Sequence, residues 1–196
     1  MRNCLTNIDI DYQETDSSVM KNTLNIENTF LGLCLEKGIS RVSVSELARE
    51  AGINRGTFYL HFENLDDLVW NIEKKLLKKS RIVSESQKYY KGMDKYSYIY
   101  SVLKSELCSI KNDFLWYNML LSAKGDPSFK HKVKKCIRIS AEKKFNEINL
   151  PYDIVFLDYL ASGAMGIFSH WIETGAKMDI DQLVRFSLLL TGDSIC

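Results

Sequence analysis

The spacing of apolar residues sets out the first part of this chain as a series of short helices. Between positions 24 and 37, apolar side chains recur every three or four residues, which is the period of an amphipathic helix. They are Ile26, Phe30, Leu33 and Cys34. Gly38 can end this helix, because glycine adopts a left-handed backbone without steric cost. Residues 1–21 are polar and acidic with no helical period, so we predict a flexible leader there.

Two shorter helices are predicted next, each with a marked beginning. Ser43 and Glu46 have the spacing of a capping box, and Gly52 can end the helix that they open. Asn54 can cap a second short helix that ends near His61. The apolar positions that can face inward are Leu47, Ala48, Ile53, Phe58 and Phe62. Two short helices joined by a glycine-containing turn form a helix-turn-helix, which places a three-helix domain at residues 22–64.

Asn64, with Asp67 three residues later, can cap the next helix. That helix links two parts of the chain and covers about residues 65–80. Residues 81–196 then show several further helical patterns, of which segment 114–121 is apolar on nearly all sides and is expected to be buried. Turn residues around Asp126 and Pro151 separate these helices. The sequence therefore predicts an all-α protein with a second helical domain at 81–196.

Small residues cluster in the penultimate helix between two groups of large apolar ones. Glycine costs about 1 kcal/mol inside a helix, so such a cluster suggests that another backbone approaches closely. The last helix is apolar on more than one side. We interpret the two helices as a four-helix interface in a homodimer, and alternatively as the end of the monomer core. The candidate interface residues are Tyr159, Gly163, Gly166, Phe186 and Leu190.

The second short helix has one face for the core and one that can offer hydrogen-bond donors to DNA. A recognition helix in a major groove needs this division; an ordinary pair of surface helices would show the same apolar spacing. We expect phosphate contacts from Ser43, Tyr59 and His61, and base contacts from Arg55 and Thr57. Gly56 allows close approach of a partner, and Asn54 and Ser45 lie at the margins of this candidate DNA-binding surface.

Three segments in this region also resemble a known family. AREAGI, RGTFYLHF and NLDDL are similar to the DNA-binding domain of the TetR family of bacterial transcriptional regulators. The resemblance implies a repressor that binds a palindromic operator in double-stranded DNA as a homodimer and is released by a small-molecule effector. It also implies that the C-terminal domain binds the effector and dimerises. Leu65 is a departure, since many family members carry a phosphate-binding lysine at that position.

Composition narrows the class of protein further. The 196 residues are 45% hydrophobic and 26% charged, and no run is long enough to span a membrane. The start of the chain lacks a signal-peptide core, and five scattered cysteines fit a reducing compartment, so we expect a cytoplasmic protein. The net charge of +1 is low for a nucleic-acid binder and predicts weak non-specific binding to DNA.

Candidate chemistry in the second half of the chain is limited to a binding pocket. Motifs for phosphate loops, catalytic nucleophiles and metal ligands are absent from the sequence, so we expect no enzyme activity, no cofactor and no metal. Tyr100, Trp116 and Tyr117 are the candidate ligand-binding residues, because each combines an apolar body with a polar tip. Core packing is the alternative role for any one of them.

Two other functions remain open at this point. The chain can be a helix-turn-helix protein that acts structurally or under the control of a protein partner, without an effector. It can also be an enzyme or carrier on a helical scaffold, which would require a cluster of perturbed acid–base groups in a pocket.

Overall fold

The computed structural model describes residues 17–190, with the side chains of residues 17 and 18 left out of the description. Within that range the secondary structure is entirely helical, which confirms the all-α prediction. The helices are α1 (Ser17–Lys37), α2 (Val44–Glu50), α3 (Arg55–His61), α4 (Leu65–Ser86), α5 (Lys95–Asn112), α6 (Phe114–Leu121), α7 (Phe129–Glu147), α8 (Ile154–Glu173) and α9 (Ile180–Leu190). A single 3-10 turn, Ile39–Arg41, connects α1 to α2.

The chain divides into two compact units, Met1–Ile72 and Glu73–Cys196. The division falls inside α4, the helix that the sequence analysis assigned as a link. The predicted leader at 1–21 lies mostly outside the described residues, but its last five residues already belong to α1. α1 therefore begins at Ser17, seven residues before the amphipathic pattern does.

The core of the first unit is small and closely packed. Phe30 of α1, Leu47 of α2 and Phe58 of α3 are fully buried in it. Burying each such side chain contributes roughly 1.5–3 kcal/mol. The inward positions predicted from the sequence are buried at Leu47, Ala48, Phe58 and Phe62, and Ile53 is half-buried.

The second unit contains α5 to α9 and the C-terminal part of α4. α7 packs along α8, and α5 packs along α9. Trp171 of α8 is 2% exposed, and its indole N–H donates to the backbone carbonyl of Met178. The turn after α6 needs a glycine, because a Cβ at Gly125 would lie 2.2 Å from the carbonyl oxygen of Leu120. The backbone itself therefore excludes a side chain at this turn.

Segment 114–121 forms α6 with the predicted bounds, but its burial is incomplete. Tyr117, Met119 and Leu120 are buried, whereas Leu115 is 52% exposed. The expectation of a helix buried on all sides is wrong for that face.

Candidate nucleic-acid interface and effector cavity

The beginning of α2 is fixed by a capping box and an ion pair. The Ser43 hydroxyl accepts a hydrogen bond from the backbone N–H of Glu46 at 3.3 Å, as the spacing predicts. The Glu46 carboxylate accepts a hydrogen bond from Lys37 of α1. Lys37 and, more weakly, Arg49 and the backbone N–H of Ser43 lower the pKa of Glu46. The cap thus also ties α2 to the helix before it.

The turn between α2 and α3 depends on Gly52 and Asn54. Gly52 has a φ of +66°, in the left-handed region that favours glycine. The Asn54 side-chain oxygen accepts from the backbone N–H of Thr57 at 2.7 Å, which caps α3. A Cβ at Gly56 would lie 3.1 Å from that same oxygen. Gly56 therefore leaves room for the cap, in addition to allowing close approach from outside.

The candidate DNA-binding residues lie together on α2, α3 and their caps. Ser43, Ser45, Asn54, Arg55 and Gly56 are exposed, and Tyr59 is 50% exposed. Arg55 is the first residue of α3, and its guanidinium has no ion-pair partner among the described residues. A free guanidinium at the exposed end of a helix can form two parallel hydrogen bonds with a guanine edge.

Two of the predicted contacts have partners inside the protein. The Thr57 hydroxyl lies 3.1 Å from the side-chain oxygen of Asn54 and donates to it. The His61 ring nitrogen Nδ1 lies 3.1 Å from the Thr23 hydroxyl of α1. Both side chains are half-buried. The Thr57 hydroxyl can still accept a hydrogen bond from an outside partner, and the Nε2 atom of His61 can still bond to one. Each side chain therefore has one polar group left for DNA instead of two.

Leu60 of α3 is an exposed residue that the sequence reasoning missed. Its side chain is 85% exposed, the largest exposure among the large hydrophobic residues described. The signal was available, because Phe58 and Phe62 face inward and the residue halfway between them on a helix faces outward. The sequence reasoning considered only hydrogen-bond donors and acceptors on α3. Leu60 is apolar, but it can contact a thymine methyl group.

The second unit contains a cavity of about 450 Å³. Most of its wall is apolar and comes from α5, α7 and α8, with further residues from α4, α6 and α9. Among the candidate ligand-binding residues, Tyr117 lines the cavity and Tyr100 and Trp116 do not. Tyr117 is 3% exposed and packs against the rings of Phe129 and Phe168.

Tyr100 has a different role from the one expected. Its hydroxyl donates to Asp181 of α9, and Lys104 pairs with the same carboxylate at 2.6 Å. The hydrogen bond to Asp181 raises the pKa of Tyr100. The Arg185 guanidinium lies 5.7 Å from the centre of the Tyr100 ring. These contacts join α5 to α9, and so the polar tip of Tyr100 is used in packing.

The polar residues of the cavity wall were also missed by the sequence reasoning. Ser84, Glu106 and Ser140 line it from α4, α5 and α7. Glu106 lies about one turn from Leu103 and from Ile110 on the apolar face of α5, so an acidic residue interrupting that face was the available signal. Burial raises the pKa of the Glu106 carboxyl, and hydrogen bonds from the two serines oppose this.

A second carboxyl, Glu73, is 2% exposed but lies outside the cavity wall. Lys132 pairs with it at 2.5 Å and with Asp126 at 3.2 Å. Burial raises the pKa of Glu73 to about 7. Burial opposes ionisation of Asp126 too, but hydrogen bonds from Ser128 outweigh it and lower the pKa of Asp126 to about 2.

The candidate interface residues form exposed stripes on the last two helices. Tyr159 is 67% exposed, and Gly163 and Gly166 follow it along the same face of α8. Phe186 and Leu190 are 48% and 54% exposed on α9. Apart from the neighbouring residues and backbone of α8 itself, a Cβ at either glycine would meet no atom of the described chain within 4 Å. Packing within one copy of the chain therefore does not explain the two glycines.

Two other kinds of site, for metal ions and for membrane spans, are absent from the described part of the chain. No group of three or more His, Cys, Asp or Glu side chains there could hold a metal ion. Within residues 17–190, none of the helices is both long and apolar enough to cross a membrane.

Comparison with known proteins identifies both units. The family model described as "Bacterial regulatory proteins, tetR family" matches residues 31–70, and that described as "Transcriptional regulator C-terminal region" matches residues 97–191. An uncharacterized HTH-type transcriptional regulator of Bacillus subtilis (strain 168), YwcC, is 37% identical over 54 residues. That match covers 27% of this chain and 24% of YwcC, about a quarter of its length.

Solved structures of regulators share the fold over nearly the whole chain. The fatty acid degradation regulator FadR from Bacillus halodurans has a TM-score of 0.66 at 15% identity, covering 93% of this chain and 98% of FadR. NalD, the secondary repressor of the MexAB-OprM multidrug efflux pump in Pseudomonas aeruginosa, has a TM-score of 0.65 at 16% identity, covering 92% and 98%. The dihydroxyacetone kinase operon activator DhaS has a TM-score of 0.64 at 17% identity, covering 90% and 97%. With a helix-turn-helix in the first unit and family matches to both units, the chain belongs to the TetR family of bacterial transcriptional regulators, which are DNA-binding proteins and not enzymes.

Proposed function

We propose that this regulator is a repressor that binds a palindromic operator as a homodimer and leaves it when a small-molecule effector binds. The observation that supports this most directly is the exposed face of α3, where Tyr59 and Leu60 project outward and Arg55 has no ion-pair partner within residues 17–190. Similar folds occur in an operon activator and in a repressor. We choose repression because a dimer bound at a promoter blocks access by occupancy alone. Such a protein works in the bacterial cytoplasm, where the chromosome lies.

On DNA, we assign Arg55 to a guanine edge and Thr57 to a neighbouring base. Ser43, Tyr59 and the Nε2 atom of His61 contact phosphates, and Ser45 and Asn54 lie at the edge of the contact. Gly56 lets the backbone of α3 come close to the DNA. Phosphate contacts position the helix, and base contacts determine the sequence that it prefers. Substitutions of base-contacting residues in α3 should therefore change the preferred sequence, whereas substitutions of phosphate-contacting residues should weaken binding to all sequences.

The dimer forms through the exposed stripes of α8 and α9. Val155 and Tyr159 on α8 and Leu189 on α9 are 71%, 67% and 76% exposed, although all three are large hydrophobic residues. Monomeric proteins rarely expose contiguous apolar patches of this kind. A two-fold axis through four such helices covers both stripes, and Gly163 and Gly166 allow the second backbone to approach closely. The two recognition helices then lie about 34–36 Å apart, in successive major grooves.

The effector occupies the cavity of the second unit. Its volume of about 450 Å³ falls within the range of ordinary small-molecule sites. Tyr159, Gly163 and Leu190 line the cavity and also belong to the proposed dimer interface. A ligand that contacts these residues therefore changes the free energy of one dimer geometry relative to another. That differential affinity is what an effector needs in order to release DNA.

The test is selection of bound sites from a random DNA duplex library at fixed salt. Wild type is expected to enrich a palindrome, and Tyr59→Ala to weaken its enrichment. Arg55→Ala should lose its preference at one base pair in each half-site, at a cost of about 1–3 kcal/mol. Arg138→Ala, which removes a cation from α7 in the second unit, is the matched control and should select the same palindrome.

Two outcomes would contradict these assignments. Equal loss of affinity for specific and random DNA in Arg55→Ala would remove Arg55 from the base contacts. Absence of any enriched motif at both low and physiological salt would favour the alternative, a helix-turn-helix protein that acts through a protein partner.

A further inference from the structure

Three helices bring polar side chains to one place in the wall of the cavity. The Ser84 and Ser140 hydroxyl oxygens lie 2.8 Å apart. The Ser140 hydroxyl donates its proton to the Oε1 atom of Glu106 at 3.2 Å, so the hydrogen bond between the two serines is donated by Ser84. Hydroxyl groups donate to a carboxylate and the carboxylate only accepts, so this network ends on Glu106.

Glu106 forms no direct ion pair within the described part of the chain, and the Lys144 ammonium lowers its pKa only through a Coulombic interaction. The buried cation on the cavity wall is Lys144, whose Nζ atom donates to the carbonyl oxygen of Gln87 at 2.9 Å and to the Glu147 carboxylate at 3.1 Å. The same ammonium lies 5.4 Å from the centre of the Tyr98 ring. Its donors are therefore directed to Gln87 and Glu147, and its charge is balanced by Glu147.

The other cations of the wall are exposed to solvent. Lys143 pairs with Glu85 at 2.9 Å, and Arg81 is exposed on α4. Water screens exposed charges strongly, so neither cation replaces a direct partner for Glu106. The rest of the wall around the network is apolar, with side chains such as Leu103, Leu107 and Ile137.

A carboxyl in apolar surroundings without a cation is costly to ionise, and a ligand that supplies the cation removes that cost. We propose that the cavity takes an apolar organic amine, whose ammonium group donates to Glu106 while Ser84 and Ser140 hold the carboxylate in place. This inference rests on the proposed function, in which the cavity holds the effector, and it names the chemical class of that effector. The apolar part of the amine contacts the leucine and isoleucine side chains of the wall.

Three probes with the same chain and different head groups test the proposal: decylamine, decanol and decanoate. Binding to the full-length protein is measured by titration calorimetry at pH 7.5, below the concentration at which any of the three forms micelles. Decylamine is expected to bind about tenfold more tightly than decanol, because a charged hydrogen bond is stronger than a neutral one. Decanoate should bind most weakly, since its charge is of the same sign as that of Glu106. Decanoate binding as tightly as decylamine, or no binding of decylamine, would overturn the proposal.

Two variants test whether Glu106 is the residue that binds the ammonium group. Glu106→Gln keeps the size of the side chain and an acceptor oxygen for the serines but removes the charge. It should reduce decylamine affinity about tenfold and leave decanol affinity within about twofold. Glu142→Gln, on α7 but outside the cavity wall, is the control and should change neither. Unchanged decylamine binding in Glu106→Gln would also overturn the proposal, and circular dichroism checks that both variants are folded.

Failure of this inference can be separated from failure of the proposed function. If all three probes release operator DNA equally, the cavity regulates DNA binding but does not select amines. If decylamine binds through Glu106 and operator binding is unchanged, the amine site is supported. The proposal that a ligand in this cavity releases the protein from DNA is then contradicted.

Discussion

The two units of the molecule place their polar groups in different ways. In the first unit, the polar side chains of Ser43 and Asn54 cap the beginnings of α2 and α3 and remain exposed. In the second, charged groups such as Glu73 and Lys144 are 2% and 3% exposed. The first arrangement suits contact with a partner at the surface. The second suits recognition inside the fold, and it makes stability depend on the charge state of buried groups.

The largest expected difference between the units is in the packing of their cores. Phe58→Ala removes a fully buried ring from the closely packed first unit and should lower the free energy of unfolding by about 3–5 kcal/mol. Leu107→Ala enlarges a cavity that already exists and should cost about 2 kcal/mol, near the lower limit for such changes. Urea unfolding with helix-resolved amide exchange assigns each loss to its unit. Equal losses would show that the cavity wall is as well packed as the first core.

The next effect is a pH dependence between about pH 4.5 and 7 that comes from Glu73 in the second unit. The raised pKa of Glu73, about 7 against an ordinary 4.5, means that the folded state binds this proton more tightly than the unfolded state. Glu73 therefore stabilises the fold below about pH 4.5, and that contribution is lost as the pH rises to about 7. At 1.36 kcal/mol per pKa unit, wild type should lose up to about 3 kcal/mol more than Glu73→Gln over this window.

Urea unfolding at pH 5 and pH 8 measures the difference. Glu142→Gln is the control and should follow wild type, because Glu142 is only half-buried and its partner Arg138 lies 3.8 Å away. The low pKa of Asp126 acts at more acid pH and does not contribute in this window. Identical pH dependence in wild type and Glu73→Gln would mean that Glu73 titrates normally.

A smaller effect separates the two roles of Asn54. Asn54→Ala should lower the free energy of unfolding by about 1 kcal/mol, since it removes the cap of α3. Asn54→Asp keeps a capping oxygen and should be nearly neutral for stability. The new negative charge, however, should weaken DNA binding, because it faces phosphates. Thermal unfolding and operator titration distinguish the two losses, and unchanged DNA affinity in Asn54→Asp would place this residue away from the DNA.

The smallest effect on stability is expected at Leu60. Leu60→Ala removes a side chain that is 85% exposed, so the free energy of unfolding should change by less than about 0.5 kcal/mol. Discrimination at one A·T pair of each half-site should fall by about 1 kcal/mol, through loss of contact with a thymine methyl group. Site selection with the variant checks this. An unchanged selected sequence would show that Leu60 does not read a base.

The first unit was predicted from sequence more fully than the second because its signals are local. The cap contacts of Ser43 and Asn54 each join residues three apart, and Gly52 marks its turn by itself. The beginning of α1 was missed because Ser17 to Asn22 has no apolar period. Contacts from the following turn, where Thr23 meets His61 and Asn25 donates to the carbonyl of Ala51, attach this part of α1 to the next two helices.

In the second unit, the bounds of α6 were predicted from the sequence but the wall of the cavity was not. Ser140 meets Glu106 across 34 residues and Ser84 across 56, and no local pattern encodes which helices come together. Tyr100, Trp116 and Tyr117 all have the apolar body and polar tip expected of ligand-binding residues. Only the arrangement of the helices determines which of the three reaches the cavity.

The incompletely covered helix α6 has a consequence for how the protein fails to fold. Its sequence, FLWYNMLL, contains no charge, glycine or proline, and Leu115 remains exposed even in the folded state. In a partly folded chain, such a segment favours pairing between molecules over return to the native state. Refolding yield should therefore fall as protein concentration rises. During synthesis, this segment is also where a chaperone would bind the chain.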